Sequence, residues 1–178
     1  MIESALSSVI GSGLPAAMTF LFQRLDHLLS SRRSDPNPQV PAVLVGRLDL
    51  PLEADTERWE RHRPTLEVLS DALSDYRDGR MPVESGDERL LRMLGRLRGV
   101  LEDVYGQHLT FEGEDRPLSG PFVRQDLGRV AGEAVGMDVA EEISGSAAVT
   151  QRATHVDSGA KLIGMRARRI GPPTPPAL

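Results

Sequence analysis

The sequence predicts an α+β chain: an N-terminal apolar helix and an αα-hairpin, followed by a duplicated small β module. Three observations carry that expectation. Residues 4–23 hold no charged side chain. Residues 53–105 repeat apolar side chains at intervals of three and four, the period of a helix face. Residues 122–171 read as two similar copies punctuated by glycine, and a repeat of 20–50 residues is a signature of stacked or duplicated architecture. The expected organisation is an apolar helix over residues 1–33 and a Pro-rich linker with an apolar segment over 34–52. A helical hairpin covers 53–105, the duplicated β module 106–171, and a Pro-rich tail 172–178.

In the first segment Val9, Ile10, Leu14, Met18, Leu21, Phe22 and Leu25 are the candidate membrane or partner face. The uncharged stretch is about as long as a membrane span. Gly11-Ser12-Gly13-Leu14-Pro15 should break or kink it, because Gly and Pro both oppose a continuous helix. Two homes are open: packing on protein, or lying in a membrane with Arg24, Arg32 and Arg33 holding its C-terminal side in the cytoplasm. Gly11-x-Gly13-x-x-Ala16 matches a relaxed dinucleotide fingerprint, which also requires flanking strands. Residues 34–42 supply no second hydrophobic strand, so no cofactor is expected.

Three prolines in residues 36–41 make the linker extended. Residues 42–52 form a short strand or an apolar segment laid over the helices, and Pro51 argues against a central strand. The first hairpin helix follows from the stripe Trp59, His62, Leu66, Leu69, Leu73 and Tyr76. Pro64 should kink it or begin a new helix. The second helix has a polar start at Ser85-Gly86-Asp87-Glu88. Its stripe is Leu90, Met93, Leu94, Leu97, Val100, Leu101 and Val104, with Arg89, Arg92, Arg96, Arg98, Glu102 and Asp103 on the other face. Tyr105-Gly106 ends it. Barely two heptads is short for a coiled coil, so packing within the protomer is favoured over helix-mediated dimerisation.

Residues 107–112 alternate as a strand. The two copies that follow span 122–145 and 148–171. Val123 and Gln125 match Val149 and Gln151, Gly136-Met137 matches Gly164-Met165, and Ile143 matches Ile170. The offset begins at 26, reaches 28 at Gly-Met and returns to 26 at the closing glycines Gly145 and Gly171. Copy one carries a net charge of −3 and copy two +4. Asp126 matches Arg152, Asp138 matches Arg166, and Glu141 matches Arg169, so paired copies would set unlike charges side by side. The irregular turns favour an antiparallel sheet or barrel. The alternative is a two-rung β-solenoid, which tends to continue by adding further chains.

Function classes narrow by exclusion. The chain lacks cysteine, which removes thiol nucleophiles and Cys-based metal sites. Twenty of the 21 basic residues are Arg, a pattern of GC-rich coding. A net charge of −5 without a concentrated basic face argues against nucleic acid. His27, His62, His108 and His155 never fall three or four apart, so no helical metal pair is expected. The carboxylate clusters Asp71/Asp75/Asp78 and Glu112/Glu114/Asp115 read as solvated faces. No nucleophile elbow or phosphate loop occurs. The expectation is a non-enzymatic cytoplasmic assembly or adaptor protein, a homo-oligomer or one that docks a protein partner. One alternative is an accessory protein tethered to the inner face of a membrane by residues 4–29. Another is a small-ligand-binding or hydrolytic β domain.

Overall fold

The computed structural model describes residues 13–30, 32–84, 86–144 and 147–171. It is a mixed α+β chain of two compact units that divide between Ser119 and Gly120.

The first unit is built on three helices, α1 (Gly13–Leu29), α2 (Thr56–Arg77) and α3 (Glu88–Tyr105). The apolar face of α1 packs on protein over its described part. Leu14, Met18, Leu21, Phe22 and Leu25 are all buried in one hydrophobic core with residues of α2 and α3. Val9 and Ile10 lie outside the described residues. Among the described residues no helix is long and apolar enough to cross a membrane. Pro15 stands in the first turn of α1 as described and does not split it; a first turn needs no N–H from that position.

Helix α2 also runs through its proline. Trp59 on one side of Pro64 and Leu66 on the other are both buried, so tertiary packing holds the two halves in one helix. Pro64 faces solvent, where water can satisfy the carbonyl that loses its donor. Asp55 caps α2 by accepting from Arg58 N at 2.9 Å, and Asp87 caps α3 by accepting from Leu90 N at 3.0 Å. The hairpin is antiparallel. At one end the Tyr76 hydroxyl donates to Asp87 at 2.6 Å. At the other, His62 Nε2 lies 2.8 Å from Asp103, and Arg58 donates to the Asp103 carbonyl at 3.0 Å. The Tyr76 hydrogen bond raises the phenol pKa and lowers that of the Asp87 carboxyl.

The connecting segments are tied into this unit. β1 (Ser34–Asp35) pairs antiparallel with β2 (Leu52–Glu53), and Arg24 of α1 bonds Asp35. Residues 42–52 are the apolar cover expected, with Leu44, Leu48 and Leu52 buried. They hydrogen-bond to the segment after α3 through Val45 N to Thr110 O (2.9 Å) and Ser119 N to Val45 O (2.8 Å). Gly46 permits that approach: a Cβ there would lie 2.5 Å from the Ser119 carbonyl oxygen. After the two-residue strand β3 (Gln107–His108), Leu109 and Phe111 enter the same core.

Three charged side chains assigned to solvent, Arg98, Glu102 and Glu114, are interior, while Arg89, Arg92, Arg96, Glu112 and Asp115 are exposed as expected. Arg98 is 2% exposed and the Glu114 side chain is fully buried, and the two form an ion pair. Glu102 is buried beside them. It accepts from Arg116 at 2.9 Å and from Leu109 N at 2.8 Å, while Glu114 accepts from Phe111 N at 2.8 Å. The helix stripe is therefore wider than its apolar residues, because residues 109–116 fold back over α3 with charges that complement it.

The second unit contains β4 (Gly120–Val130), β5 (Glu133–Ser144), β6 (Ala148–Val156) and β7 (Lys161–Gly171). The antiparallel sheet or barrel expected from the irregular turns does not form. β4 pairs with β6 and β5 with β7, both parallel, and no closed barrel is present among the described residues. From β4 to β7 consecutive strands lie in different sheets, so each parallel pair is connected through a strand of the other.

Candidate functional site

The pairing register sets the chemistry of the second unit. Over β4 and β6 the offset is 26 residues: Val123 faces Val149, Gln125 faces Gln151, and Asp126 faces Arg152. Over most of β5 and β7 it is 28: Val135 faces Ile163, Met137 faces Met165, and Asp138 faces Arg166. The change has a local origin. Two residues, 131–132, join β4 to β5, whereas four, 157–160, join β6 to β7. In the longer turn Ala160 N donates to Asp157 O at 3.0 Å, and Asp157 N donates back to Val130 O at 2.9 Å.

Burial alternates along the strands. Gln125, Leu127, Gln151, Ala153, Met137, Val139, Met165 and Ala167 are half-buried, while Asp126, Arg152, Asp138 and Arg166 are exposed. Like therefore stacks on like inside, and unlike charges stand opposite outside. Gln151 Nε2 donates to Gln125 Oε1 at 2.8 Å, and Gln125 Nε2 donates to the Val135 carbonyl at 3.1 Å. This amide ladder links β6 to β4 and β4 to β5. Gly136 is required where the sheets meet, since a Cβ there would fall 2.3 Å from Val149 Cγ1 and 2.5 Å from the Gly164 carbonyl oxygen.

The candidate charge pairs fare differently. Asp126 and Arg152 are register partners with both side chains exposed. Asp138 and Arg166 form an ion pair at 3.4 Å. Glu141 is not the partner of Arg169: a register shift between Val139 and Glu142 puts Glu142 opposite Arg169 and Ser144 opposite Gly171. The side chains of Glu141 and Arg169 lie outside the described residues. Two further links escaped the sequence reading. Arg166 also reaches Glu133 at 2.6 Å, and Arg129 grips both Asp157 oxygens at 2.9 and 3.0 Å. His155 lies 3.2 Å from Asp157. Arg166 holds the Glu133 carboxyl below its ordinary pKa, and Glu133 raises that of Arg166. The sequence signal for these contacts was the Gly-Met offset of 28, which sets Glu133 opposite Lys161. Asp157 sits in the longer turn, where strand matching does not look.

Among the described residues no group of three His, Cys, Asp or Glu could hold a metal ion. What the arrangement offers is strand edge. β6 pairs only with β4, and β7 only with β5, among the described residues. One side of each of these strands carries backbone donors and acceptors that no described strand engages, the usual template for further pairing. Comparison with protein-family models, curated proteins and solved structures finds no match to this chain.

Proposed function

We propose that the chain is a non-enzymatic assembly protein whose residues 122–171 are a duplicated module of two stacked rungs. Rung one is β4 with β5, and rung two is β6 with β7. Through this module copies of the chain associate, and the helical unit is what they bring together or dock to a protein partner. The observation that carries the reading is the parallel pairing of similar residues in register: Val on Val, Gln on Gln, Met on Met. Such stacking satisfies each strand only on the side where another strand lies, which leaves rung two with an end that can accept more strand. The opposite charges of the rungs support the same reading, since they favour contact between unlike rungs.

Light scattering after size exclusion, over a range of protein and salt concentrations, tests the proposal. The expected outcome is an association that grows with concentration and shifts with salt. A strict monomer under every condition would overturn it.

A further inference from the structure

We infer that rung two is a templating edge for rung one of a second copy, so that association is head-to-tail and open-ended. The inference rests on the self-association proposed above and specifies its geometry. In it, β5 of an incoming copy, and β4 over the length that no other strand engages, add to the sides of β6 and β7 left unpaired among the described residues, in the parallel register already seen within one chain.

Three observations converge. The first is the edge itself, left without a neighbouring strand on β6 and β7 among the described residues. The second is apolar exposure on rung two. Val130 is 5% exposed, yet its register partner Val156 is 43% exposed. Leu162 is 40% exposed, opposite the half-buried Ala134. Rung two thus leaves uncovered the kind of surface that rung one has covered. The third is charge. Pairing two copies through rung two alone would bring Arg152, Arg166 and Arg168 of each against the other, a +4 stretch against a +4 stretch. Rung one, at −3, is the complementary occupant. Its Asp126 and Asp138 would meet the second faces of Arg152 and Arg166, and its Gln125 would extend the amide ladder beyond Gln151.

A contact between two different surfaces of the same chain does not close on itself when the operation is a translation along one axis; it grows as a filament. Each chain adds two strand spacings, about 9.5 Å of axial rise.

The chain has no cysteine, so one introduced thiol reports on one position. Thr154→Cys, on an exposed site of β6, would carry a nitroxide spin label in the 178-residue chain. Head-to-tail stacking places like labels in a regular row at about 9.5 Å, giving multi-spin broadening that collapses when labelled chains are diluted with unlabelled ones. In parallel, Val156→Glu should raise the concentration required for assembly at least tenfold, with the circular dichroism of the unassembled chain unchanged. A closed dimer, or a label spectrum of a single isolated pair, would overturn the head-to-tail geometry and leave self-association standing. A monomer at all concentrations would overturn both.

Discussion

The two units bury their side chains to different degrees. In the helical unit, Leu66, Leu90, Leu94, Leu97 and Leu101 are fully buried, as are Phe111 and Leu109. In the β unit, Val130 is the one large hydrophobic side chain buried among the described residues. The inward residues of β4–β7 are half-exposed even where they stack on their register partners. Burial of apolar surface drives folding in proportion to the area removed from water. The helical unit has collected that stabilisation within one chain. If the proposed rungs add to one another, the β unit has more apolar surface left to cover than the helical unit.

The contrast can be pressed hardest at the buried ion pair of the helical unit. Glu114→Gln leaves Arg98 in the interior without its counter-charge, beside Arg116, which already opposes its protonated form. Removing one partner of a buried pair costs roughly 3–5 kcal/mol, a large part of a domain's stability. Urea unfolding followed by the fluorescence of Trp59, the chain's single tryptophan, should show the midpoint fall steeply. The double change Arg98→Met with Glu114→Leu should recover much of the loss, because it removes the buried charge along with its partner. A midpoint unchanged in Glu114→Gln would show that the pair is not a support of this unit.

A gentler change in the same unit should act in the opposite direction. Tyr105 is buried, and its hydroxyl has no hydrogen-bond partner among the described residues. Burial, with the nearby Asp35 adding to it and Arg24 opposing it, raises the phenol above its ordinary value of 10.0. The folded unit therefore favours the neutral phenol. Its stability is unaffected by this group below pH 10 and falls above it, as the unfolded chain ionises first. Tyr105→Phe removes the unmet desolvation cost and should stabilise by about 1 kcal/mol. It should also flatten the loss of stability in the alkaline range. Melting curves from pH 8 to 11 measure both.

These sites also show which parts of the fold were legible in the sequence. The α3 stripe and its Asp87 cap were readable because helix period and capping are local. Arg98, Glu102 and Glu114 were misplaced because amphipathicity assigns every charge to solvent. Their burial depends on a loop returning from 16 residues away. Strand positions in 122–171 were readable from alternation, but alternation is the same in parallel and antiparallel pairing. The direction was nevertheless present in the repeat. Two copies that match when both are read forwards stack side chain on like side chain only if their strands run parallel. The slip from 26 to 28 is a difference in turn length between two otherwise parallel stretches, not a disorder of turns. The charge pairs were half legible: Asp138 with Arg166 followed from the Gly-Met alignment, whereas the bulge after Val139 displaced Glu141 from Arg169.

The smallest expected effect within a single chain lies at those charges. Arg166 bridges Glu133 and Asp138 on the neighbouring strand, and all three side chains are about half exposed. Exposed pairs contribute little and weaken with salt, so Arg166→Glu should lower the protection of β5 and β7 amides from hydrogen exchange only slightly. The effect should shrink at high salt. It should reverse when Glu133→Arg and Asp138→Arg are added. The lowered pKa of Glu133 gives the sign with acid. The contribution is complete above the carboxyl's ordinary value of 4.5 and is lost as pH falls through the lower folded value. Assembly should respond more strongly than the isolated chain if rung two faces rung one of a neighbour, because Arg166 would then lie between two acidic strands. An Arg166→Glu protein that assembles as its parent does at low salt, while losing the same small intrachain protection, would confine these charges to holding one chain's strands together.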